Sequence, residues 1–198
     1  MSQARPDADV PFFADGDRVA IAASSWNEQI VGELLRGCDA RLRELGAAVD
    51  VVRVPGAYEL PTAATWLAEC GQFAAVVCLG CVIRGDTPHF DYVAGECARG
   101  LTDVALKTGV PTLFGVLTVN TEQQALDRAG GSHGHAGVAA ADAAAQMVAV
   151  RRRIEGLAST SGTSGKLIDI QEQIGAQLDL EAAARRSGAA GAIPIDED

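Results

Sequence analysis

The sequence predicts an α/β chain built on a parallel sheet, and three observations carry that prediction. Short β-branched apolar runs alternate with stretches of helical period, which is the signature of strands joined by crossover helices. The runs recur four times before the pattern turns wholly helical. One of them, Ala74–Ile83, is apolar throughout, as a strand covered on both faces is.

The elements follow in order. Residues 1–17 are polar, with Pro6, Pro11 and Gly16, and read as a loose arm. Arg18–Ala23 is the first strand, and Ser24, Ser25 or Asn27 can cap the helix after it. From Asn27 to Leu45, apolar residues recur at Ile30, Leu34, Leu35, Cys38, Leu42 and Leu45, and Gly46 stands where a C′ glycine ends a helix. Val49–Val54 is the second strand, broken by Pro55-Gly56, with a helix over Glu59–Cys70. Ala74–Ile83 is the third strand, followed by a helix over about 89–107 that ends at Gly109. Val110–Thr118 is the fourth strand, Glu122–Ala129 a short helix and Val138–Arg153 a long alanine-rich one. Ser159–Gly165 has the composition of a flexible linker, Lys166–Arg186 fits one amphipathic helix, and Gly188–Asp198 reads as an acidic tail. The expected organisation is an arm (1–17), one domain (18–155), and a linker with an extension (156–198).

The bulk chemistry narrows the function. The 198 residues suffice for one domain with a sizeable core. A net charge of −10 and a pI near 4.7 disfavour nucleic acid and anionic membranes as partners. No apolar run reaches the roughly 20 residues a membrane span needs, and no basic-then-apolar leader opens the chain, so no signal peptide is expected. Five cysteines, an odd number, suit small buried thiols kept reduced in a cytoplasmic or organelle-stroma compartment. Cys78 and Cys81 have the CxxC spacing of metal and redox sites. On a strand, however, that spacing sends the two side chains to opposite faces.

Ligands of open parallel sheets sit beyond the carboxyl ends of the strands, so those ends are where chemistry is expected. After the first stands Trp26, which can stack on a flat ring, although a packed contact is the plainer reading of the residue alone. After the second comes Pro55-Gly56-Ala57-Tyr58-Glu59. Gly56 permits close backbone approach, and Glu59 can accept from hydroxyls or simply suit the helix dipole. After the third come Gly85-Asp86-Thr87-Pro88-His89, a nest of N–H donors and a hydroxyl suited to an anion, with a histidine beside it for proton transfer. At the fourth stand Leu113-Phe114-Gly115, and Arg128 lies near the end of the next helix. Arg128 is a phosphate fork by chemistry, or a solvated surface charge if taken alone.

Taken together and in this order, SWN at 25–27, VPGAYELP at 54–61, LGCVIRGDTPHFDYVAGE at 79–96 and FGVLTVNTEQQALDRAGG at 114–131 resemble the lumazine synthases over about residues 18–150. The resemblance implies a flavodoxin-like three-layer α/β/α sandwich with a four-stranded parallel sheet. It implies a transferase of riboflavin biosynthesis that condenses 5-amino-6-(D-ribitylamino)uracil with 3,4-dihydroxy-2-butanone 4-phosphate, with no metal and no organic cofactor. By the same resemblance Trp26 stacks on the pyrimidine, Ala57, Tyr58 and Glu59 hold the ribityl chain, and Cys81, Val82 and Ile83 meet the pyrimidine through backbone groups. Asp86 and Thr87 bind phosphate, His89 moves protons, and Phe114 and Arg128 reach the site from a neighbouring subunit. The implied assembly is a homopentamer, in some members built into a sixty-subunit shell, with riboflavin synthase as an associated partner.

The chain departs from the family's usual pattern at Gly131-Ser132-His133-Gly134-His135-Ala136-Gly137, where a Lys and a Glu are missing. This stretch and Trp26 are more like the fungal members, and His133 and His135 read as loop residues. The alternative function is a flavin- or lumazine-binding or shell-forming protein on the same scaffold with weak catalysis.

Overall fold

Four β-branched segments pair as a parallel sheet in the computed structural model, which describes residues 10–160. The strands are β1 (Arg18–Ser24), β2 (Ala48–Val54), β3 (Ala75–Ile83) and β4 (Thr112–Val119), ordered β2-β1-β3-β4. That is the flavodoxin-like order, whose reversal point lies between β1 and β3. The period of two divides each central strand between two cores. Val19, Ile21, Ala75, Val77, Leu79 and Cys81 pack on one face, and Ala20, Ala22, Val76 and Cys78 on the other.

The first face is covered by α1 (Glu28–Glu44), α4 (Glu122–Arg128) and α5 (Ala136–Thr160), and the second by α2 (Leu60–Glu69) and α3 (His89–Thr108). The result is the expected three-layer sandwich. Its helix stripes are the ones the periods point to. Ile30, Val31, Leu34, Cys38 and Leu42 of α1 are all buried, each large aliphatic contributing about 2 kcal/mol of burial. Gly46, at φ 93°, closes α1 as a Schellman turn, with its N–H on the Arg43 carbonyl and that of Ala47 on Leu42, both at 3.0 Å.

Five details differ from the sequence expectation. Residues 10–17 are not a loose arm: Phe13 is buried in the first core, and its N–H meets the Leu45 carbonyl at 2.9 Å, because an aromatic edge there fills the end of the α1 layer. The helix after β2 opens with a single 3₁₀ turn, Ala57–Glu59, since Pro61 falls in the first turn of α2 and has no N–H to give. Strand β4 begins at Thr112, because Pro111 cannot donate to the ladder. A hairpin of β5 (Ala129–Gly131) and β6 (Gly134–His135) precedes α5, so His135 is a strand residue. Helix α5 starts at Ala136 and continues past Arg153 to Thr160, Gly156 being tolerated within a run of good helix formers.

The packed unit ends at Arg152; of the second unit, Arg153–Asp198, the described part is helical to Thr160. The rest of the expected linker, the amphipathic helix at 166–186, the tail at 188–198 and the first nine residues of the arm lie outside the described residues. Among the described residues no helix is long and apolar enough to cross a membrane.

His135 explains a pair of glycines. A Cβ on Gly37 of α1 would fall within its ring, and one on Gly137 of α5 would fall on the Leu34 carbonyl. The two helices therefore meet nearly backbone to backbone, with the imidazole between them.

Candidate active site

The carboxyl ends of β1, β2 and β3 converge on a cleft of about 540 Å³. It sits at the reversal point of the strand order, where adjacent loops leave in opposite directions and open a crevice. β1 contributes Trp26 and Asn27; the segment after β2 contributes Gly56, Ala57, Tyr58 and Glu59; β3 contributes Cys81, Val82 and Ile83; and α3 contributes His89, Tyr92 and Val93.

The walls are tied together by backbone bonds. The N–H of Ser25 donates to the carbonyls of Val54 at 2.9 Å and Pro55 at 3.3 Å, and that of Trp26 to Pro55 at 3.3 Å, so the β1 exit is stitched to the β2 exit. Asn27 is one of the three candidate caps, with Ser24 and Ser25. It does occupy the N-cap position of α1, yet its side chain makes no cap bond. Its amide nitrogen instead donates to the Cys81 carbonyl across the cleft floor at 2.9 Å, with the residue at φ 56°, a left-handed conformation that Asn tolerates better than most. Asn27 is thus a strap between β1 and β3.

Gly56 lets Trp26 and Glu59 approach its backbone closely. A Cβ there would lie 3.1 Å from the Glu59 carboxylate and 3.3 Å from the Trp26 ring, so each side chain would have to give by a few tenths of an ångström. Trp26 remains 73% exposed and Tyr58 58% exposed, two aromatic faces at the cleft mouth open to a flat or chain-like ligand.

The CxxC pair is no thiol site. Cys78 and Cys81 lie in opposite cores, as the strand period requires. Burial pushes the Cys81 thiol up to about 11, with the charge of Glu122 adding to it, and burial lifts Cys78 further still. Neither is a thiolate at neutral pH.

Of the residues proposed from sequence, Trp26, Ala57, Tyr58, Glu59, Cys81, Val82, Ile83 and His89 meet in this cleft. Asp86 and Thr87 lie just outside it, in the exposed turn that leads into α3. Phe114 and Arg128 lie elsewhere. Phe114 is the third residue of β4 and does not lie beyond its carboxyl end. It and Arg128 line a second cavity of about 290 Å³ floored by Ala136, Ala139, Ala140 and Ala143. Arg128 ends α4, a helix started by a reciprocal capping box between Thr121 and Gln124. Its guanidinium donates to the His133 carbonyl at 3.0 Å, so the hairpin holds it. Sequence reasoning missed Asn27 as a strap and Tyr92 and Val93 as wall. For Tyr92 a signal existed, since it follows His89 by three residues and shares its helix face.

Fold and cleft define an α/β protein that takes a small molecule at the switch point of a parallel sheet. Comparison with known proteins is more specific. The pattern of the 6,7-dimethyl-8-ribityllumazine synthase family matches residues 16–152. The chain is 48% identical over 142 residues to the 6,7-dimethyl-8-ribityllumazine synthase of Xylella fastidiosa (strain M12), an alignment covering 70% of this chain and 92% of that one. It is 52% identical over 134 residues to the enzyme of that name from Xanthomonas campestris pv. campestris (strain B100), covering 66% and 87%. The chain belongs to the 6,7-dimethyl-8-ribityllumazine synthase family.

Proposed function

We infer that this chain is a 6,7-dimethyl-8-ribityllumazine synthase, a transferase of riboflavin biosynthesis that joins 5-amino-6-(D-ribitylamino)uracil to 3,4-dihydroxy-2-butanone 4-phosphate with release of phosphate and water. The observation that carries it is the convergence of Trp26, Glu59 and His89 on one cleft. An exposed indole suits a planar pyrimidine, a carboxylate suits the hydroxyls of a ribityl chain, and an imidazole suits the proton transfers between them.

The 5-amino group attacks the ketone and expels water to give an imine; phosphate then leaves, and ring closure expels a second water. Amine and ketone are reactive on their own, so holding them together supplies much of the rate. His89 relays protons during imine formation and elimination, and Asp86 and Thr87 offer backbone and hydroxyl donors to the phosphate.

Phe114 and Arg128 complete the site from a neighbouring subunit. In support, they line a cavity separate from that of their own chain's cleft, and Phe114 is 45% exposed. The sheet edge is also underdressed for a single chain: Val51 and Val52 of β2 are exposed, although parallel sheets are covered on both faces. A homopentamer satisfies both observations, with a sixty-subunit shell as the larger form and riboflavin synthase as a partner for it. Four buried thiols of five fit a reducing, cytoplasmic setting. The segment 156–198 follows the residues that the family pattern matches, and deleting it should leave turnover intact.

The test is direct. The purified chain, mixed with the two substrates, should produce lumazine absorbance well above the uncatalysed background. No excess rate, together with tight riboflavin binding at Trp26, would favour a flavin-holding protein on the same scaffold.

A further inference from the structure

The turn before His89 has little to hold it. Residues 84–89 are all exposed, and α3 begins at His89 with Pro88 at the N-cap position and no side-chain cap. A helix end of that kind frays unless something else fixes it.

Arg84 supplies the fixing from three sides. Its N–H extends the sheet by one residue, donating to the Val119 carbonyl at 2.9 Å. Its Nε donates to Oδ1 of Asn120, beyond the end of β4, at 3.2 Å. Its two terminal nitrogens grip the Asp91 carboxylate at 3.3 and 2.9 Å, and its guanidinium carbon lies 4.1 Å from the centre of the Phe90 ring. Phe90 and Asp91 are the two residues that follow His89. Asp91 in turn closes the first turn of α3 through its N–H on the Pro88 carbonyl at 3.0 Å. One side chain therefore joins the end of the sheet to both residues beyond the imidazole.

We propose that Arg84 is a positioning residue: it locks the 85–88 turn and the first turn of α3 so that His89 faces the cleft. A single exposed ion pair would do little of this. The planar fork with ring stacking fixes orientation as well as distance, and lysine cannot reproduce it. The inference rests on the synthase reading for its catalytic consequence, and on the free protein alone for its structural one.

In the full chain, Arg84→Ala should lower kcat roughly ten- to thirtyfold, the scale of a small misplacement of a reacting group. KM for the pyrimidine should move less than about twofold, because Trp26 and Glu59 stand on other strands, and Arg84→Lys should recover only part of kcat. If Arg84 acts through His89, the same substitution in a His89→Ala background should cost less than about twofold more. Amide exchange in the unliganded protein should quicken about tenfold or more at residues 91–93, the first hydrogen-bonded amides of α3, and not in β1 or β2. An unchanged kcat, or an equal loss in both backgrounds, would overturn the proposal while leaving the synthase reading standing. A wild type without turnover would sink the synthase reading instead. The exchange rates would then decide Arg84 by themselves, with unchanged protection at residues 91–93 counting against it.

Discussion

The cleft behind Trp26 and the groove beneath Phe114 are built by opposite means. The cleft is made of three consecutive strand exits of one sheet, so parallel register and the strap from Asn27 to Cys81 bring its residues together within a single chain. The groove is a flank. Its wall is the middle of edge strand β4, its floor is a run of alanines on α5, and its one charge, Arg128, is held by a hairpin carbonyl. The first region carries aromatic, acidic and imidazole groups and lacks a cation for phosphate among its lining residues. The second carries the cation and has no acid or base among its lining residues. Each holds what the other lacks, and this is the physical case for a site completed between subunits.

The largest expected effects test that division. Arg128→Ala should lower kcat/KM for the butanone phosphate on the order of 10²- to 10³-fold while leaving pyrimidine affinity nearly unchanged, as steady-state kinetics with each substrate varied would show. His89→Ala should lower kcat about 10²-fold without abolishing turnover, because proximity persists. A matching loss of pyrimidine binding in Arg128→Ala would mean the two regions are not separable.

Gly137→Ala comes next. It drives α5 against the Leu34 carbonyl and disturbs the groove floor, not the cleft. A loss of about 2 kcal/mol, read as a shift in the denaturation midpoint, is expected for overpacking of this kind. Trp26→Ala follows, with riboflavin or pyrimidine binding weakened about tenfold by titration and stability barely moved, since the ring is exposed.

How much of this was legible in the sequence depends on what forms each part. The sheet and helices were readable because apolar period maps directly onto burial: the stripe Ile30, Leu34, Cys38, Leu42 and the run Ala75–Leu79 are buried as their spacing implies. The cleft was findable from the strand-end rule with no knowledge of chemistry. The groove was not, because Phe114 lies within a strand and Arg128 ends a helix, where no topological rule points. The hairpin at 129–135 was also hidden. Gly-Gly-Ser-His-Gly-His has no β-branched residue to announce a strand, and its pairing depends on Gly130 and Gly134 at positive φ and on tertiary contact with Gly37. Likewise Asn27 looked like a cap because its local position is that of a cap, and only the proximity of β3 gave its amide a better acceptor.

The smallest effect concerns two buried thiols, one in each core. Burial raises Cys81 and Cys97 from 9.0 to about 11, so the folded state holds these protons more tightly than the unfolded chain. That share of stability is whole below pH 9 and is lost as pH rises through about 11. Denaturation midpoints measured from pH 8 to 11 should fall over that window, and a flat profile would mean these buried thiols are open to water.

The central claim is that one chain's cleft is completed by another chain's groove, and mixing two broken variants tests it most directly. Arg128→Ala and His89→Ala subunits, unfolded together and reassembled, place some intact clefts beside intact grooves. With random mixing about a quarter of the sites regain both halves, so activity should rise well above the average of the separately reassembled variants. A mixture that stays at that average would contradict the account.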